Sequence, residues 1–137
     1  MSASASPSSY GDKYYASDNV RHLFRTEIPG AGQIVIHGQY AFVGHSFSAD
    51  GGTTILDISD PRKPKIVTQM AVAHPHSHSH KVRVVGDLMF TNSEIDNFKK
   101  PDRNAYQDGG FRIYSIKDKS APKLLSFVKT YARGVHR

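Results

Sequence analysis

GGTTILDISDPRKPKIVTQM, residues 51–70, holds two runs of β-forming residues around a proline-bearing turn. TTILDIS (53–59) alternates, so Ile55 and Asp57 fall on the opposite face from Leu56 and Ile58. In DPRKP (60–64) two prolines fix φ and forbid a helix. KIVTQMAV (65–72) then reads as a second strand. The stretch recurs as GGFRIYSIKDKSAPKLLSFV (109–128), a shift of 58 that superposes Ile55 on Ile113, Ile58 on Ile116, Asp60 on Asp118 and Pro64 on Pro122. Upstream, IVIHGQYAFVG around Gly38 aligns with VRVVGDLMFTN around Gly86 at a shift of 48. The ten extra residues of the second copy fall in the polar loop SEIDNFKKPDRNAYQDGG (93–110).

Working outward, each copy reads as four short strands joined by turns. The first has QIVIHG (33–38), YAFVGH (40–45), TTILDIS and KIVTQMAV; the second has KVRVVG (81–86), LMFTNSE (88–94), FRIYSIK (111–117) and LLSFVKT (124–130). No amphipathic helix is expected. Gly51–Gly52 and Gly109–Gly110 are repeat-equivalent turn glycines, for which a positive φ is a sufficient reason. Asp57, Asp60 and Asp118 read as turn formers that bond to nearby backbone N–H groups.

Four antiparallel strands in about 45 residues is what one propeller blade needs. At this point the two copies also resemble a known repeat. TTILDISDPRKPKIV and FRIYSIKDKSAPKLL are similar to the LVIVD-type repeat of bacterial β-propellers: a glycine, an alternating strand, a D-x-S-[DN]-P-x-x-P-like turn, then another apolar strand. The first copy fits closely; the second has Lys119-Ser120-Ala121 in place of Pro61-Arg62-Lys63. The resemblance covers roughly residues 22–137 and implies an all-β fold, a β-propeller segment that is incomplete in this chain. A small unrelated β-sandwich is the alternative. The expected organisation is an N-terminal arm at 1–20 and a propeller segment at 21–137. Within the segment, a strand of a preceding blade lies at 22–29, blades at 31–73 and 78–130, and the start of a next blade at 131–137. Closed propellers have about 4–8 blades, and isolated repeat units are unstable. The missing blades are therefore expected from a complementary chain or from self-association, the latter head to tail; a cleaved or truncated piece of a larger propeller is the third alternative.

Composition narrows the function classes. The chain has 137 residues, enough for one domain, and no Cys, which excludes disulfides and thiolate chemistry. Its apolar runs are too short to span a membrane, and its N-terminus lacks the apolar core of a secretory signal. A cytoplasmic protein is the expectation. The formal charge of +6 is spread over turns and strand edges without an aromatic-interleaved stripe, so a solvated basic surface is preferred to a nucleic-acid interface. Tyr10, Tyr14 and Tyr15 in the arm suit contact with a partner.

The chemistry concentrates in HPHSHSHKV (74–82), where His74, His76, His78 and His80 occupy every second position. In an extended segment all four can point one way, about 6.5–7 Å apart at each step. One ion would then take one or two of them and find other ligands elsewhere. The segment joins the two blades, and in a propeller its end near His78 and His80 approaches the axis. His136 is the repeat equivalent of His78, and His45 ends the second strand of the first blade. His76, His78, His80, His136 and His45 are accordingly candidate ligands of a divalent metal such as Fe, Zn, Mn or Cu. Glu94 and Asp96 are the candidate catalytic carboxylates, as base or as partner of a metal-bound imidazole. His37 reads as structural and His22 as an exposed strand residue. The competing account of the histidine row is a polar loop bonded to backbone and water.

Two functions compete. One is a metal-dependent propeller enzyme, oxygenase or hydrolase in type, acting on a small organic molecule. The other is a non-catalytic binding or scaffold propeller. Fold alone does not choose between them.

Overall fold

The computed structural model of the chain describes residues 19–46, 52–72, 74–99, 101–130 and 132–136. The proposed arm, with its three tyrosines, lies outside the described residues apart from 19 and 20. The fold is all-β. The strands are β1 Ala31–His37, β2 Tyr40–His45, β3 Thr53–Asp57, β4 Lys65–Met70, β5 Ser77–His78, β6 Val82–Val85, β7 Leu88–Ile95, β8 Gly110–Ser115 and β9 Lys123–Lys129. The helical content among the described residues is one 3-10 turn, Asn97–Lys99. No helix of the described residues is long and apolar enough to cross a membrane.

Each copy of the repeat makes an antiparallel meander, β1-β2-β3-β4 and β6-β7-β8-β9. The first hairpin of each is closed by two residues, Gly38-Gln39 between His37 and Tyr40, and Gly86-Asp87 between Val85 and Leu88. Gly38 has φ 58° and Gly86 φ 56°, whereas Gln39 and Asp87 stay at negative φ. Glycine at the first central position is the type II′ pattern, whose twist matches that of the strands. The equivalence extends to features that periodicity does not reveal. The β3–β4 ladder shifts register between Ile55 and Leu56, and β8–β9 shifts between Ile113 and Tyr114, the same positions at a shift of 58. The Ile58 N–H donates to the Gln39 carbonyl at 2.8 Å, and the Ile116 N–H to that of Asp87 at 2.9 Å. Asp57, Asp60 and Asp118 each accept a backbone N–H two residues on, at 2.8, 3.0 and 2.9 Å. These are the turn bonds expected of them.

Two sequence expectations change. Residues 22–28 form no strand, because their backbone finds no strand edge to pair with among the described residues. They lie instead along the first sheet, and Ile28 packs on Ala41, Val43 and Leu56. Gly52 does not have positive φ. It is glycine because a Cβ there would stand 2.8 Å from the Ala71 carbonyl oxygen. Its equivalent Gly110 has φ 152° and would put a Cβ 2.1 Å from the Val128 oxygen. Close approach of the fourth strand is thus the shared requirement.

The two sheets pack face to face over Phe42, Ile55, Val82, Met89 and Ile116, all fully buried. Each such side chain contributes about 1.5–3 kcal/mol on burial. Val35, Tyr40, Val84 and Tyr114 flank them. The insertion at 101–109 is tied down by polar contacts. Ser77 Oγ meets Tyr106 Oη at 2.7 Å and donates to Asp108 at 2.9 Å, Ser93 Oγ donates to Asp108 at 2.8 Å, and Arg112 pairs with the same carboxylate. Burial pushes the Asp108 carboxyl up, but the bonds from Arg112, Ser93 and Ser77 outweigh it and hold it below the usual range.

β5 and β6 are two parts of one edge strand on β7. β5 pairs with its end at Glu94–Ile95, and β6 with Leu88–Thr91. Between them the chain turns its backbone to the first sheet: the His45 N–H donates to the Ser79 carbonyl at 3.0 Å and the Gln33 N–H to that of His80 at 3.1 Å. His80 stands in this break.

Candidate metal centre

The histidine row divides where its backbone stops being extended. His74 to Ser77 forms a turn, closed by the Ser77 N–H on the His74 carbonyl at 3.0 Å. The alternation that would align all four side chains is lost there. His74 and His76 form a separate pair, with ring centroids 5.7 Å apart. The extended chain resumes at β5, where His78 lies opposite Glu94. Residues opposite each other in a ladder share a face, and His80, two residues on, returns to the same side. A third segment arrives from residues 132–136: Gly134 bridges Glu94, and His136 follows two residues later.

Glu94 is the hub. Its Oε2 lies 3.4 Å from His78 Nε2 and 3.9 Å from His80 Nδ1, and it accepts a hydrogen bond from His136 Nδ1 at 2.9 Å. The rings of His78 and His80 are 4.7 Å apart and those of His80 and His136 5.1 Å. Ligand atoms of His78, His80 and Glu94 all lie within 4.8 Å of one another. Donors about 2.0–2.1 Å from one ion in a tetrahedron are roughly 3.3–3.5 Å apart, so a small contraction would suit a metal. His78 and His80 each keep a buried Nδ1 with no hydrogen-bond partner. A buried polar atom without a partner is costly, and coordination would satisfy the one on His80 that faces Glu94. Burial pushes the His80 imidazole down to about 4; His78 and Lys81 act in the same direction and Glu94 against them. At neutral pH the ring therefore keeps a free lone pair, as a ligand must.

The other sequence candidates stay apart. His45 is buried with both ring nitrogens occupied: Nδ1 donates to the Pro29 carbonyl at 2.8 Å and Nε2 meets Thr54 Oγ1 at 2.8 Å. A carbonyl can only accept, so the Thr54 hydroxyl donates to Nε2 and no lone pair is left. His76 belongs to the exposed turn. The Asp96 carboxylate caps the 3-10 turn, accepting the Phe98 N–H at 3.0 Å with Lys99 Nζ at 3.7 Å.

Three positioning residues escaped the sequence reading. Asn92 is buried in β7; its Oδ1 accepts the Lys81 N–H at 2.9 Å and its Nδ2 donates to the Val135 carbonyl at 2.9 Å. One side chain thus holds the segments that carry His80 and His136. Asn is depleted in strands, and its presence in LMFTNSE is the signal that was available. Gly44 lets β2 approach the break, since a Cβ there would be 2.6 Å from the His80 carbonyl carbon. Gly134, at φ 94°, would put a Cβ 2.1 Å from the Ser93 oxygen. Asn92→Ala is expected to lower stability by about 1–3 kcal/mol, because two half-buried backbone groups lose their partners. Asn92→Asp should recover part of this, keeping the acceptor for Lys81 and losing the donor to Val135. Urea unfolding midpoints check both.

Comparison with known proteins bears on the first sheet. No curated protein and no solved structure matches the chain. Residues 30–72, which hold β1 to β4, match the model of the LVIVD repeat, the resemblance drawn from TTILDISDPRKPKIV.

Proposed function

We propose that this chain is a β-propeller segment that holds a divalent metal ion through His78, His80 and Glu94, and that the ion serves an oxygenase or hydrolase acting on a small organic molecule. The observation that carries this reading is the convergence on one small volume of two imidazoles, from β5 and the break after it, and one carboxylate from β7. Two histidines and one carboxylate with open positions beside them is the donor set of non-haem iron oxygenases, and it accommodates zinc or manganese as well. A metal bound there would polarise a substrate oxygen or activate water or O₂. The chain's own contribution is positional. His136 Nδ1–H on Glu94 Oε2 orients the carboxylate, and the β5–β7 ladder fixes His78 opposite it.

The test is calorimetric titration of the metal-free chain with Zn(II), and with Fe(II) under nitrogen. The expected result is about one ion per site, with uptake lost in His80→Ala. A folded chain that takes up neither ion would sink the metal reading and leave the binding-module reading, in which the loops contact a protein partner.

A further inference from the structure

The two sheets meet through unlike faces, and the repeat equivalents of those faces are turned away from the interface, the first sheet's partly covered by Ile28 of the lead-in. The second sheet contributes Val82, Val84, Met89, Tyr114 and Ile116 to the interface. At shifts of 48 and 58 these correspond to Ile34, Ile36, Ala41, Leu56 and Ile58 of the first sheet. That set lies on the first sheet's other face, where Ile34 and Ile36 are 59% and 58% exposed. The first sheet contributes Phe42 and Ile55 to the interface, with Tyr40 and Met70 beside them. Their equivalents, Phe90, Ile113, Leu88 and Val128, lie on the second sheet's open face, which Val85 extends at 68% exposure. One end of the molecule therefore repeats one half of its own internal interface, and the other end repeats the other half.

We propose that the open face of the second sheet docks onto the open face of the first sheet of a second copy of this chain, head to tail. The internal interface is the template for the contact. The lead-in at 20–28 covers the part of the receiving face over Ala41, Val43 and Leu56, leaves Ile34 and Ile36 exposed, and adds Leu23 and Phe24, 40% and 45% exposed. It leaves an apolar groove of about 360 Å³ over Ile34, Val43, Leu56 and Ile58. Because the two surfaces differ, the contact is heterologous and closes into a ring or runs on. Glu94 shares the alternation of Phe90 on β7, so the docked copy would border the histidine cluster. The proposal does not rest on a metal being bound there.

The experiment is native mass spectrometry and sedimentation of the purified chain and two double variants. Ile34→Asp/Ile36→Asp disables the receiving face, and Val85→Asp/Val128→Asp the docking face. All four sites are exposed, so the variants should fold, which circular dichroism checks. The expected wild-type species is a multiple of 15.2 kDa. Each variant alone should be monomeric, its association weakened roughly a hundredfold or more. Mixed, the two variants should form a one-to-one pair, since each retains the face the other lacks. A folded monomeric wild type would overturn the proposal. So would variants that stay apart on mixing, oligomers unaffected by either pair of substitutions, or assembly that appears only with a different chain.

Discussion

Phe42→Ala is expected to remove about 3–5 kcal/mol of stability, the range for truncating a buried aromatic ring. Phe42 is fully buried at the centre of the sheet–sheet interface, against Ile55, Val82, Met89 and Ile116. The cavity would lie between two rigid ladders, which limits collapse around it. A domain is commonly stable by about 5–15 kcal/mol, so this one change would leave little margin. Phe90→Ala is the internal control. Phe90 occupies the equivalent position but is only partly buried, on the open face. In the monomer its loss should cost much less than that of Phe42; in a head-to-tail assembly the two costs should converge. Urea unfolding of both variants at low and high protein concentration measures this, with an unchanged slope showing that only stability has moved.

Glu94→Ala should abolish metal uptake under conditions that saturate the wild type, a loss of at least about 100-fold in affinity. Changing a residue that merely supports a ligand already costs about 10–100-fold. Three imidazoles converge on Glu94 Oε2, and the nearest alternative acid in the chain, Asp96, is committed to the 3-10 turn. The fold should survive, because the pairing of His78 with residue 94 is made by backbone. Calorimetry with Zn(II) reads the affinity and circular dichroism the fold. Undiminished affinity would place the ion elsewhere and remove Glu94 from the site.

Much of the fold was legible because its determinants are local. Alternation in TTILDIS and FRIYSIK marks β3 and β8. Gly38 and Gly86 set the two-residue turns, and the aspartates close their loops through bonds two residues long. A self-comparison at shifts of 48 and 58 then yields the repeat. The matching register shifts at Ile55–Leu56 and Ile113–Tyr114 were hidden, because a bulge depends on how two strands fit, not on either one alone. The lead-in at 22–28 misled for a related reason: β-like residues make a strand only where an edge is available.

The site shows the same division more sharply. Residue types were legible without coordinates: a row of imidazoles between two sheets, acids downstream, and His136 as the counterpart of His78. The sequence could not decide which of them meet. Spacing alone treats His74, His76, His78 and His80 alike, yet a turn withdraws the first two, a ladder with β7 retains His78, and a backbone bond from Gln33 of the first sheet holds His80 in the break beside it. His45 was equally plausible until the fold surrounded it with Pro29 and Thr54. Only tertiary structure brought Glu94 opposite His78 and, through Asn92 and Gly134, carried His136 across 42 residues to the same carboxylate. Strand alternation is a property of neighbours in the chain; a ligand set is a property of neighbours in space, fixed by register, close backbone approach and the bonds that join separate segments.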